Sequence, residues 1–303
     1  MMHMAILPSY IKMYENGELK KRVEEAKKHY TDCHLCPHEC GVDRTKQGGF
    51  CRARHEAIVS RYGPHLGEEE VLVGARGSGT VFFGYCNMRC VYCQNYEISD
   101  YGYGRAVSNE ELADIMLTVQ NVYRCHNINL VTPTHFVPNI VEAVYIAVQK
   151  GLRLPIVYNC GGYEKVETLK LLEGIVDIYM PDFKYFDPER GRKYSKVRNY
   201  PEMAMAALKE MDRQVGGLKT DDRGVAYRGL LIRHLMLPGG LEDAKKVLDF
   251  IKQELSPDCL VNLMDQYYPT HKAQKYEEIN RRLRIPEFRR AWVYAQELGL
   301  RLA

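Results

Sequence analysis

The stretch GTVFFGYCNMRCVYCQNYEIS, residues 79–99, runs from a short apolar strand directly into three cysteines spaced Cys86-x3-Cys90-x2-Cys93. From about residue 72 onward, short apolar strands alternate with amphipathic helices, the signature of parallel βαβ units. The strands predicted are 79–84, 128–132, 154–159, 175–180, 229–236 and 259–264. Six such units over about 220 residues predict an α/β chain folded as a partial (β/α)6 TIM-type barrel, not a closed eight-stranded one. In barrels of this kind the chemistry sits at the C-terminal ends of the strands, and the three cysteines follow the first of them.

The helices between the strands carry readable signals. Ser108 with Glu111 three residues on forms a capping box that opens a helix over 109–124. Pro138 stands near the start of a helix running to Gly151, and Ala244, Val247, Leu248, Ile251 and Leu255 form one apolar stripe. Pro286 opens a last helix with Phe288, Trp292 and Ala295 on its inner face, and Gly299 ends it. Residues 213–228 are polar and turn-rich, a hairpin or loop near the rim. A charged helix over 10–30, with Ser9 as its cap, precedes a cysteine-rich knuckle. The expected division is 1–70 for that helix and knuckle and 71–303 for the barrel.

Three thiolates on so short a loop can face one cubane, and a [4Fe–4S] cluster held by three ligands leaves one iron open to an outside group. A three-cysteine zinc knuckle, or plain burial, is the competing reading. Zinc ligands usually come as two separated pairs, which this run does not provide. Upstream, Cys33-x2-Cys36-x3-Cys40-x10-Cys51 supplies four thiolates in nineteen residues. Four ligands close a site, so this one is structural or electron-carrying; zinc and an auxiliary iron–sulfur cluster both accept it. His34 and His38 lie nearby but are superfluous to a four-cysteine set. Cys125, Cys160 and Cys259 are isolated and read as buried thiols, although Cys160 stands at a strand end.

Composition narrows the class. The chain has 303 residues, 42 Lys plus Arg against 39 Asp plus Glu, and a formal net charge of +3, which gives no reason to invoke nucleic acid. The arginines at 281, 282, 284, 289 and 290 read as a solvated helix face. No apolar run is long enough for a membrane span. The opening residues show no charged leader region or cleavage site, and ten cysteines without a leader favour metal or redox chemistry in the cytoplasm over disulfides.

CxxxCxxC after the first strand, with an aromatic, Tyr92, before the third cysteine, resembles the motif of the radical S-adenosylmethionine (radical SAM) superfamily. By that resemblance Cys86, Cys90 and Cys93 hold the cluster, and its free iron takes the amino and carboxylate groups of S-adenosylmethionine. One electron then cleaves the cofactor to methionine and a 5′-deoxyadenosyl radical, which removes hydrogen from a substrate. The electron comes from a donor such as flavodoxin or ferredoxin. The likeness covers nearly the whole chain and is closest to the pyruvate formate-lyase activating enzyme-like branch with an N-terminal CxLCPxxC segment. It is carried by CHLCPHECGVDR (33–44), NLVTPTHFVP (129–138), VYNCGGYE (157–164), DIYMPDFKY (177–185), RHLMLPGG (233–240) and LMDQYYPTH (263–271).

The resemblance implies cofactor-binding roles for Tyr92 near the adenine, and for Thr134, His135, Asn159, Asp182 and Lys184 at strand ends. Asp182 and Lys184 match an Asp-x-Lys of the activases, while Asn159 stands where they carry an acid. Cys-Gly-Gly replaces their Thr-Asn-Gly, and Thr132–His135 replaces their Gly-Gly-Glu. His234, inside a strand, reads as structural, and His271 as a loop histidine within reach of the cofactor. Three functions follow: activation of a glycyl-radical partner, hydrogen abstraction from a peptide side chain or small molecule, or a non-enzymatic iron–sulfur redox role. The last leaves Asp182, Lys184 and Tyr92 without purpose.

Overall fold

The computed structural model describes residues 7–303; the opening residues 1–6, on which the leader reading partly rests, lie outside the described residues. Among the described residues ten strands form one sheet system: β1 (Ala57–His65), β2 (Ser78–Phe83), β3 (Arg105–Val107), β4 (Ile128–Val131), β5 (Ile156–Cys160), β6 (Ile178–Pro181), β7 (Lys219–Thr220), β8 (Ala226–Leu235), β9 (Leu260–Met264) and β10 (Arg301–Leu302). Their order is β10-β9-β8-β6-β5-β4-β2-β1-β3, with β7 paired to β8. The six predicted strands are β2, β4, β5, β6, β8 and β9, and they run parallel in sequence order. The sheet curls without closing, as a partial barrel does.

These strands are apolar on both faces because helices cover one face and the barrel interior the other. Alternation sets the faces. Tyr179 reaches Gln214 on the helix Tyr200–Val215 at 2.7 Å, so it points outward. Val157, Ile178, Met180, Leu231 and Leu260 share a cluster with Leu72, from the short helix Glu70–Val73. That helix plugs the N-terminal end of the barrel: Asn127, just before β4, donates to Leu72 O at 3.0 Å. The opposite end is left polar and partly open.

Two elements depart from the sequence reading. The charged helix at 10–30 is broken into Ser9–Glu15 and Glu18–Lys27 by Gly17, whose φ of 80° no ordinary helix residue adopts. Ser9 is not its cap: Pro8 holds that position, and the Ser9 N–H donates to Asp177 Oδ1 at 2.9 Å instead. The strand β1 was not predicted. It pairs antiparallel with β2 and β3, but a bulge between Val59 and Arg61, and then Gly63-Pro64, interrupt its alternation. The Ser108–Glu111 capping box forms as predicted. The final helix is Ile285–Glu297, and the turn-rich segment is the β7–β8 hairpin. Among the described residues no helix is long and apolar enough to cross a membrane.

Candidate functional site at the barrel mouth

The three-cysteine loop leaves β2 at Gly84 and is anchored by its backbone. Arg89 N donates to Ser195 O at 3.0 Å and Val91 N to Tyr194 O at 2.8 Å. Both acceptors belong to a wide π-helical turn, Gly191–Ser195, of the kind that often marks functional positions. Each thiol has at least one hydrogen-bonding neighbour, and Cys86 Sγ also reaches Asn87 Oδ1 at 3.8 Å. Met88 N–H lies 3.3 Å from Cys86 Sγ, Ser195 Oγ 3.0 Å from Cys90 Sγ, and Ser99 Oγ 3.1 Å from Cys93 Sγ. Burial pushes the Cys90 thiol up to about 11 and Cys86 up as well, while the Lys184 ammonium pulls both the other way. Ligation removes such protons outright, since a thiolate is the form that binds metal.

Across the mouth, four side chains from three adjacent strands join. Lys184 Nζ lies 2.5 Å from Asp182 Oδ2, Arg233 Nε donates to Asp182 Oδ1 at 3.0 Å, and an Arg233 Nη donates to Asn159 Oδ1 at 2.7 Å. From below, Glu68 approaches the other Arg233 Nη at 3.5 Å, and Asn262 donates to Glu69 at 2.9 Å. Burial acts to raise Asp182, but Lys184 and Arg233 outweigh it and hold the carboxyl below its ordinary range. Burial likewise opposes the charge on Lys184, and Asp182 beside it prevails and raises it. All three therefore stay charged, with side chains still 15–18% exposed toward the mouth.

The Cys-Gly-Gly turn after β5 explains how the loop and mouth meet. A Cβ on Gly162, whose φ is +77°, would stand 2.1 Å from Asp182 O, and one on Gly161 would stand 2.7 Å from Met88 Sδ of the cysteine loop. The two glycines let the loop close down on Asp182 and Lys184.

Other predicted residues are placed elsewhere. Thr134 and His135 do not join the mouth. The Thr134 hydroxyl donates to Glu164 at 2.6 Å, and Glu164 also takes the Tyr158 hydroxyl at 3.1 Å, on the helix-facing side of the sheet. His135 Nε2–H donates to Gly84 O at 2.8 Å, and its burial pushes the ring down to about 3. The turn after β4 commits both side chains to partners from other elements, Glu164 and Gly84 O. The Tyr92 ring is buried edge-on to Tyr267, and its hydroxyl meets that of Tyr185, which lies 2.8 Å from Ser195 Oγ. His234 is structural: its Nδ1–H donates to Phe183 O at 2.6 Å. His271 stacks on Tyr96 at 4.7 Å and sits 3.3 Å from Asp100. Cys125, Cys160 and Cys259 are buried.

Glu164 yields a pH prediction. Burial pushes it from 4.5 up to about 7, against the hydrogen bonds from Thr134, Tyr158 and Cys160. Its folded value lies above its unfolded one, so its contribution to stability is full below about 4.5 and is lost as pH rises to about 7. A shift of that size corresponds to about 3 kcal/mol. Glu164→Gln is expected to flatten the pH dependence of urea-unfolding stability across that window; an unchanged slope would place the titration elsewhere.

Sequence reasoning missed Arg233, Glu68, Ser195 and Ser99. Arg233 stood inside RHLMLPGG, where alternation puts it on the face opposite His234 and level with Asp182. Glu68 carries no such signal, because it reaches the site from an unpredicted turn after β1. The upstream cysteines come together: Cys33, Cys36, Cys40 and Cys51 line one small cavity with Arg44 and His135. Among the described residues no three Cys, His, Asp or Glu side chains close into a ready-made cage for a metal ion. The knuckle abuts the three-cysteine loop, with His38 Nε2 donating to Asn87 O at 2.9 Å and its ring stacked on Phe50 at 3.8 Å.

The uncharacterized protein MJ0674 of Methanocaldococcus jannaschii is 35% identical over 294 residues, spanning 94% of this chain and 80% of that one. A second uncharacterized protein of that organism, MJ0808, is 26% identical over 155 residues, 46% of each chain. Among solved structures, SuiB of Streptococcus suis superposes over 73% of this chain with a TM-score of 0.50 and 14% identity, a likeness of fold. The chain spans only 47% of SuiB. Residues 80–251 match the model of the Radical SAM superfamily, a span that begins inside β2 and takes in the three-cysteine loop and the strands through β8. This chain belongs to the radical SAM superfamily.

Proposed function

We propose that the protein is a radical SAM enzyme that takes a hydrogen atom from a polypeptide, in the manner of the glycyl-radical activases. The observation that carries this reading is the polar quartet of the Asn159 amide with charged Asp182, Lys184 and Arg233, partly exposed beside the three-thiol loop. The donor set fits the cofactors: three thiols with a hydrogen-bonding neighbour each, and both carboxylate and ammonium groups for an amino-acid moiety. When bound, the cluster and S-adenosylmethionine supply one-electron cleavage and hydrogen abstraction. Cys86, Cys90 and Cys93 hold the iron. Ser195, Ser99 and the Met88 N–H donate to their thiolates, which sets the potential. Asp182 accepts from ribose hydroxyls or the methionine ammonium, Lys184 meets the carboxylate, and Arg233 fixes Asp182 and Asn159 in place. Tyr92, buried against Tyr267 and Tyr185, would back the loop on the adenine side. Thr134 and His135 leave the set.

Exposed tyrosines beside the loop, Tyr101 at 54% and Tyr103 at 61%, support a polypeptide over a small molecule, because aromatic side chains are enriched where proteins meet. A flavodoxin- or ferredoxin-type donor supplies the electron. A second metal centre at Cys33, Cys36, Cys40 and Cys51, zinc or an auxiliary iron–sulfur cluster, staples the cysteine-rich segment ahead of β1; β1 itself joins the barrel sheet, so the boundary expected at residue 70 falls before residue 57. Ten free cysteines suit the reducing cytoplasm.

Reduced protein incubated with S-adenosylmethionine and deuterated cell extract, split by size, is expected to place deuterium in 5′-deoxyadenosine only with the macromolecular fraction. Deuterium drawn from the small-molecule fraction alone would remove the polypeptide substrate, and unlabelled product from both would remove the activase-like reading.

A further inference from the structure

Arg44 is 1% exposed, the most deeply buried of the large charged side chains. One of its Nη atoms donates to Arg54 O at 2.5 Å, while Nε and the other Nη are buried with no partner. The ring of Phe136 lies 5.7 Å from the guanidinium, and no carboxylate pairs with it among the described residues. A cation buried without an anion is among the costliest arrangements in a protein interior. Arginine has no neutral form to retreat to at any pH a protein meets.

The cavity that Arg44 lines is also lined by Cys33, Cys36, Cys40 and Cys51, by Glu39, whose carboxylate is held by Lys165 at 2.5 Å and does not pair with Arg44, and by His135, whose Nδ1 is buried and unpartnered too. Four neutral thiols are weak acceptors and carry no charge, so they leave the guanidinium unbalanced. Four thiolates around a divalent metal ion, or around a [4Fe–4S] core carrying two positive charges, leave a net dianion. The cavity already treats sulfur as an acceptor. Phe50 N–H points at Cys40 Sγ at 3.4 Å, and Gly49 is required beside it because a Cβ there would stand 2.8 Å from that sulfur. Backbone N–H groups aimed at ligand sulfurs are the usual outer partners of thiolate metal sites.

We propose that this cavity is built for a metal tetrathiolate dianion and that Arg44 is its buried counter-charge. The proposal rests on the ligand set given for the second centre, and it is independent of the chemistry at the barrel mouth. Zinc and an iron–sulfur cluster present the same charge to Arg44. The arginine therefore binds no substrate; it makes the segment dependent on its metal.

The test uses the full chain with Cys86, Cys90 and Cys93 changed to alanine, so that only the upstream site can hold metal. That protein is expected to retain about one zinc or about four irons per chain, which identifies the centre. Arg44→Met should weaken metal retention against a chelator by about a hundredfold, while Arg44→Lys, which keeps the charge, should lose no more than about a tenth of that factor. Melting temperatures supply the readout that a packing role would not move. Arg44→Met should lower the melting temperature of the metal-loaded chain yet leave the metal-free chain as stable as its parent or more so, since there the charge is uncompensated. Equal loss in both forms, or unchanged metal retention, would overturn the counter-charge, as would Arg44→Lys failing as badly as Arg44→Met. Absence of both zinc and iron from the parent variant would remove the centre itself. In the otherwise native chain, Arg44→Met should keep the EPR signal of the three-cysteine cluster, so failure here and failure of the proposed enzyme activity read out separately.

Discussion

Replacing Cys86, Cys90 and Cys93 together with alanine is expected to abolish reductive cleavage of S-adenosylmethionine and the EPR signal that responds to it. The loss should exceed about a thousandfold, because removing ligands removes the group they hold, whereas losing a partner behind a ligand costs roughly 10–100-fold. The fold should survive. The loop is pinned through Arg89 N, Val91 N and the buried side chains of Met88 and Val91, none of which the variant touches. Ser195→Ala and Ser99→Ala give the graded comparison. Each removes one hydroxyl from one sulfur, at 3.0 Å from Cys90 and 3.1 Å from Cys93, while leaving all three ligands. Both should retain a cluster with full iron content and a more negative midpoint potential, since a thiolate without its donor holds more charge on the iron. A triple-alanine chain that still shows the responsive signal would move the cluster to other residues. Serine variants with unmoved potentials would make those hydroxyls neighbours without influence.

What the sequence disclosed and what it hid divide along a physical line. The six parallel strands could be read because each is buried on both faces, and double burial writes an uninterrupted apolar run into a short segment. The capping box at Ser108 could be read because both of its partners lie within one helical turn. β1 escaped because its bulge and Gly63-Pro64 break any such run, and Glu68 and Glu69, in the turn after it, escaped with it. Asp182 and Lys184 could be placed on one face by their spacing of two, but Arg233, the second cation on Asp182, lies on the next strand, and pairing between strands is not written in local spacing. Thr134 and His135 fell on the wrong side for a related reason. Both follow β4 in a turn, where alternation no longer dictates direction, and the available partners, Glu164 and Gly84 O, lay outside the mouth.

The second large effect belongs to the mouth, where Asp182 is shared by two cations. Hydrogen bonds to charged groups contribute roughly 1.5–3 kcal/mol each, so losing one should raise the S-adenosylmethionine concentration needed for 5′-deoxyadenosine formation by about tenfold to a hundredfold. The three substitutions are not equivalent. Lys184→Met leaves Asp182 paired with Arg233 at 3.0 Å, so the chain should stay near native stability and lose mainly cofactor affinity. Asp182→Asn leaves Lys184 and Arg233 facing each other without a carboxylate, and should add a stability loss of about 3 kcal/mol to the loss of affinity. Arg233→Met leaves Asp182 with Lys184 but frees Asn159 and Glu68, so its cost should fall on the geometry of the site, as a lower rate at saturating cofactor. The double variant Asp182→Asn/Lys184→Met decides what the pair is for. Two residues that serve only each other leave little to lose once both are neutral, and that chain would bind and cleave the cofactor as the parent does. Two residues that each grip a different part of S-adenosylmethionine lose both grips, and the concentration required should rise by at least as much as for the worse single variant, with iron content unchanged in all of them.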